Sequence, residues 1–126
     1  MGSVSIILSQ GTNPHKKVNC IILDSPFSSF EKAAIEIASK KSLIPQFMIG
    51  LLIEPLKSFC QTQHPINPFE INIVEKLKKI DCKILLVYSK NDSVVSYTHS
   101  LELSKECRRT PIEVEIQEDH NMQRSR

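Results

Sequence analysis

Three compact apolar runs organise the chain: Val18 to Leu23, Lys83 to Tyr88, and Ile112 to Ile116. They are rich in β-branched residues and bounded by polar or turn residues, which predicts strands; the first two read as strands buried on both faces. Between them the apolar positions recur at helical spacing. Phe30, Ala33, Ala34, Ile37 and Ala38 share one face behind a cap at Ser28 or Ser29, with Glu31, Lys32, Glu36 and Lys40 opposite. Glu70 to Ile80 and Tyr97 to Cys107 read as two further amphipathic helices. Val4 to Leu8 reads as a short helix broken at Gly11 and Asn13-Pro14. Leu43 to Phe59 is apolar over much of its circumference and carries Pro45 and Pro55, which predicts one or two helices capping something greasy. Gln61 to Phe69 reads as irregular.

Strand and helix alternate, so the strands should pair in parallel through right-handed crossovers. The predicted class is α/β, with about three parallel strands and flanking helices. Such a sheet needs both faces and both edges managed. The reading therefore expects the sheet to be completed by something else, above all along the edge of strand 18–24.

Composition narrows the function classes. The chain of 126 residues supports one small domain, and 40% hydrophobic with 24% charged residues is ordinary for a globular protein. A net charge of +2 and the lack of a basic run interleaved with aromatics argue against nucleic acid. No apolar stretch is long enough for a transmembrane span. Met1 to Ile6 lacks the basic start of a signal peptide, and Ile6 breaks the myristoylation pattern. Cys20, Cys60, Cys82 and Cys107 are widely spaced, which disfavours a zinc site and suits a reducing, cytoplasmic compartment with idle thiols. No metal or cofactor is expected.

The candidate chemistry lies near the end. The run Ile84-Leu85-Leu86-Val87-Tyr88-Ser89-Lys90-Asn91-Asp92 is followed by a helix, a strand and then Asp119-His120-Asn121. This order places a carboxylate and an imidazole on loops at the ends of neighbouring parallel strands. That is the acid–base half of a Ser-His-Asp site.

Four segments resemble the C-terminal half of an α/β-hydrolase, in the serine aminopeptidase-like and depalmitoylase-like branch. Met1-Gly2-Ser3-Val4 is similar to the end of the G-x-S-x-G nucleophile elbow. Leu23-Asp24-Ser25-Pro26-Phe27 is similar to the strand after the elbow helix. Tyr88 to Val95 is similar to the acid loop, with Ser89 where the family has glycine. Asp119-His120-Asn121, with Arg124, is similar to the histidine loop. The resemblance implies an ancestral serine hydrolase of esters, thioesters or amides. It makes residues 1–126 the C-terminal portion of the domain, with lid or cap helices at 43–60. It implies that the nucleophile falls just before Met1, that the strands before the elbow lie outside these residues, and that the chain alone is inactive.

In that scheme Asp92 orients His120, His120 is the general base and acid, and the amide of Met1 is an oxyanion-hole candidate. The plainer alternatives are an Asp in a strand-to-helix turn that caps the helix after it, a surface His near the C-terminus and an initiator Met. His15, His64 and His99 are given no role. Ser3, Ser5 and Ser25 are set aside as substitute nucleophiles, since Ser3 and Ser5 lie past the elbow and Ser25 precedes a proline. The alternative function is a non-catalytic structural or interaction subunit of a larger assembly. Either way the expected partner is a protein, or a missing N-terminal half.

Overall fold

A computed structural model describes residues 2–15, 17–41, 45–63 and 67–117. In chain order the elements are α1 (Gly2–Thr12), β1 (Cys20–Asp24), α2 (Phe30–Lys41), α3 (Gln46–Gln63), a 3₁₀ turn (Pro68–Glu70), α4 (Ile73–Lys78), β2 (Lys83–Ser89), α5 (Tyr97–Glu106) and β3 (Ile112–Ile116). The strands form one parallel sheet in the order β1-β2-β3. Three parallel strands with flanking helices are as the periodicity predicts, and β3 has the predicted bounds.

Register decides which residues share a face. Ile21 pairs with Ile84, Leu23 with Leu86, and Leu86 in turn with Glu113. The apolar members of this set are buried together with Val4 and Ile7 of α1, Ile73 and Leu77 of α4, and Leu103 of α5. One face of the sheet thus carries the core. Burial of each large aliphatic side chain there contributes about 1.5–3 kcal/mol.

The other face differs from expectation. In β1 the burial alternates, and Ile22 is 58% exposed. β1 is not buried on both faces, because among the described residues every helix that packs on the sheet lies on the core side. β3 is reversed relative to that side. Glu113 and Glu115 share the face of Leu86 and Tyr88, while Ile112 and Val114 stand on the bare face at 63% and 38% exposure.

Helix α1 approaches α4 closely at Gly11. A Cβ on Gly11 would meet the carbonyl oxygen of Lys76 at 2.4 Å, so only glycine allows this contact. α4 starts at Ile73 rather than Glu70. Asn72 caps it by accepting from the amide of Glu75 at 2.9 Å, and Asn67 caps the preceding 3₁₀ turn.

The greasy segment after residue 45 is one helix, α3, that runs through Pro55 to Gln63. The proline removes one amide donor but lies on the exposed side, where water can satisfy the freed carbonyl. Ile49 and Ile53 turn inward, and α3 packs on α2. Lys57 ties the two helices through Glu31 at 2.9 Å. Phe47, Met48, Leu51, Leu52, Leu56 and Phe59 remain exposed.

Candidate functional site

The C-terminal ends of the strands gather the polar loops. β2 ends at Ser89, and its hydroxyl accepts from the amide of Asn91 at 3.1 Å, which folds the chain into a tight turn. That turn sets Asp92 against the start of the next segment. Its Oδ1 accepts from the amides of Val94 and Val95, both at 2.8 Å, and the residue is 8% exposed. Asp92 therefore holds this strand-to-helix turn without capping the helix that follows. The cap of α5 is a separate residue, Ser96, which accepts from Thr98 N–H at 3.4 Å.

Two links join this loop to the end of β3. The side-chain amide of Asn91 donates to the carbonyl of Gln117 at 2.9 Å, and Lys90 pairs with Glu115 at 2.8 Å. The Glu115 carboxylate raises the Lys90 pKa, chiefly through that hydrogen bond. Gln117 stands three positions before His120 in the sequence. Met1 and His120 lie outside the described residues.

The loop after β1 is more strained. Ser25 has φ of 43°, in the left-handed region that non-glycine residues seldom enter. Its amide donates to Val87 at 2.9 Å, and its hydroxyl donates to Asp24 Oδ1 at 3.2 Å. The Ser3 hydroxyl accepts from the amide of Asp24 at 2.8 Å and donates to the carbonyl of the same residue at 2.7 Å. It thus satisfies both backbone groups of one residue on the outer edge of β1.

A network that the sequence reading missed lies beside this loop. His99 is 2% exposed. Its Nδ1 accepts from the amide of Ser28 at 3.3 Å and lies 2.9 Å from the Ser28 hydroxyl. Acceptance from an amide assigns the lone pair to Nδ1 and the proton to Nε2, which lies 3.3 Å from Glu36 Oε2. That contact has the distance of an ion pair without hydrogen-bond alignment. Ser28 donates onward to Glu102 Oε2 at 2.6 Å, and Lys32 pairs with Glu102 at 2.8 Å. Lys32, then Ser28, hold the Glu102 carboxyl below its ordinary range. The available signal was helical spacing, because His99 shares the inward face of α5 with Leu103 one turn on.

Two concavities lie among the described residues. A groove of about 660 Å³ lies at the N-terminal ends of the strands, between His15, Asn19, Lys83 and Arg109, away from Asp92. A smaller pocket of about 360 Å³ adjoins Ser28, Lys32 and Glu102. Among the described residues no three His, Cys, Asp or Glu side chains gather as metal ligands, and no helix is long and apolar enough to cross a membrane.

Similarity to solved structures decides the fold. An esterase of Pyrococcus furiosus superposes with a TM-score of 0.61 at 15% identity, covering 94% of this chain and 42% of that one. The esterase domain of a Rhodothermus marinus protein gives 0.60 at 13% identity, over 94% of this chain and 47% of that one. The fold is a partial α/β-hydrolase fold. Acetyl xylan esterase 1 from Thermoanaerobacterium extends the likeness, at 0.59 and 13% identity over 98% of this chain and 38% of that one. The chain thus spans less than half the length of the structures it resembles. No protein-family model matches its sequence, and no curated protein matches it.

Proposed function

We propose that the chain is the acid–base portion of a serine hydrolase unit acting on esters, thioesters or amides, within the branch its motifs resemble. Asp92 accepts from Nδ1–H of His120, fixes its tautomer and stabilises the imidazolium formed during attack. His120 takes the proton of a serine carried by a strand beside β1, outside these residues, and returns it to the leaving group. Met1 follows that serine, and its amide contributes to the oxyanion hole. The observation that carries this reading is the link from Asn91 to Gln117. It draws the chain that leads to His120 alongside the acid loop.

Without the serine the isolated chain does not turn over substrate. Segment 43–60 acts as a lid, and the exposed apolar side of α3 supports contact with an acyl or other hydrophobic group. Four free thiols support a reducing compartment, the cytoplasm. The second reading, a non-catalytic subunit of an assembly, is favoured by the bare apolar residues Ile22, Ile112 and Val114.

The test is hydrolysis of p-nitrophenyl esters and labelling by a fluorophosphonate. The isolated chain should match its His120→Ala variant and take up no label. In the assembly with the serine-bearing polypeptide, Asp92→Asn should lower kcat by about 10⁴-fold. Label mapped to a serine of this chain, or an Asp92→Asn assembly of full activity, would refute the proposal.

A further inference from the structure

The groove at the N-terminal ends of the strands is rich in donors and poor in acceptors. Gln10 Oε1 accepts from the amide of His15 at 3.1 Å, and His15 Nδ1 accepts from the amide of Lys17 at 3.4 Å. A backbone N–H can only donate, so these two bonds assign the atoms left over. They are the Gln10 side-chain NH₂ and the His15 Nε2–H, both donors. Asp81 is the one carboxylate among the lining residues, held by Arg109 Nε at 2.9 Å and faced by Arg108 at 3.8 Å. That bond uses Nε alone and leaves the two terminal nitrogens of Arg109 unengaged among the described residues. The amine of Lys83 and the side-chain amide of Asn19 likewise have no partner among the described residues.

The cations here do not all serve the fold. Lys76 and Lys78 lie in the last turn of α4, with Lys79 at its cap, and offset the negative end of that helix. Lys79 also pairs with Glu75 at 3.2 Å. Lys83 opens β2 and stands at no helix end, so that duty does not account for it.

Size and walls narrow the class of ligand. A volume of about 660 Å³ lies within the ~300–1,000 Å³ of ordinary small-molecule sites, and a lone phosphate ion would leave most of it empty. Half-buried Val18 and buried Ile80 give one wall an apolar surface. A phosphate monoester carries about −1.5 to −2 charge at pH 7 and three strong acceptor oxygens, more of both than a carboxylate. Lys83 meets such a group as a point charge, and the free end of the Arg109 guanidinium meets it as a planar fork.

We propose that this groove binds an organic phosphate monoester of nucleotide size. The phosphate sits between Lys83 and Arg109, the body lies against Val18 and Ile80, and Gln10, His15 and Asn19 donate to its polar atoms. Asn19, Cys82 and Arg109, on the segments leading into the three strands, all line the site. It lies at the opposite end of the sheet from Asp92, so the proposal does not rest on the hydrolase reading.

Adenosine monophosphate is the probe, titrated into the isotope-labelled 126-residue chain and followed by amide chemical shifts. Saturable shifts should map to Gln10, His15, Asn19, Lys83 and Arg109. Affinity should fall about tenfold for adenosine, which lacks the phosphate, and about tenfold for inorganic phosphate, which lacks the body. Lys83 and Arg109 are both exposed, so Lys83→Gln and Arg109→Gln should keep a dispersed spectrum. Each should weaken binding of the nucleotide about tenfold. Lys83→Arg should retain binding, and Lys40→Gln on α2 should leave it unchanged. Several results would each overturn the proposal: no saturation below about 10 mM, shifts that map elsewhere, equal affinity for adenosine or for inorganic phosphate, or wild-type binding by Lys83→Gln.

Discussion

Replacing Asp92 separates what its carboxylate does for the fold from what it does for chemistry. In Asp92→Ala the amides of Val94 and Val95 lose an acceptor that both reach at 2.8 Å. Val95 is buried and Val94 half-buried, so the first amide stays dry and the second can recruit water. An unsatisfied buried donor costs about 1–3 kcal/mol, and the wetter one less, which gives roughly 2–4 kcal/mol for the substitution. Asp92→Asn keeps an oxygen in place. Bonds to a charged acceptor are about twice as strong as neutral ones, so Asn should cost about half as much. Urea denaturation of the 126-residue chain, followed by circular dichroism, measures both. The expected order of stability is wild type, then Asn, then Ala. An Ala variant within about 0.5 kcal/mol of wild type would refute the claim that this carboxylate holds the turn after β2.

Gly11→Ala should destabilise by about 1–3 kcal/mol in the same assay, because the clash with the Lys76 backbone outweighs the ~1 kcal/mol gain in helix propensity; an unchanged or higher midpoint would show that α1 and α4 can separate freely. Cys107, half-buried with its thiol pushed up to about 11 by burial, should alkylate far more slowly at pH 8 than exposed Cys20, as read by mass spectrometry after timed iodoacetamide treatment; equal rates would contradict that burial. The Glu102 carboxyl is held below its ordinary value of 4.5, so its contribution to stability is complete above that value and is lost as the pH falls through the lowered one. Lys32→Met should remove part of that acid sensitivity in pH-dependent melts, and an identical pH profile would refute the coupling.

How much of this was legible depends on how local each feature is. β3 and α5 are each bounded by turn signals within a few residues, so their limits could be read directly. The helix through Pro55 could not, because the outcome depends on which side of the helix faces solvent. The two-sided burial expected for β1 failed for a related reason. Ile21, Ile22 and Leu23 form an unbroken apolar run, and periodicity cannot say whether a second layer of helices is present to cover Ile22. The turn after β2 was legible as the break between a strand and a helix, and the structure adds contacts that spacing does not specify, Asn91 to Gln117 and Asp92 to two amides. His99 stayed hidden because its partners, Ser28 and Glu36, come from one distant segment of the chain.

The hydroxyl of Ser3 also works as a stop on the sheet ladder. Backbone groups in a parallel strand alternate between its two neighbours, and the bond from Ser25 N–H to Val87 sets which residues of β1 face β2. Cys20, Ile22 and Asp24 then face outward, and Ser3 occupies both groups of the last. A strand added alongside can zip up only as far as Ile22 before it must peel away. The divergence opens a notch beside Asp24, and the first turn of α1 stands at its lip. One serine thereby fixes both the length of any added rung pattern and the point at which an incoming chain must turn.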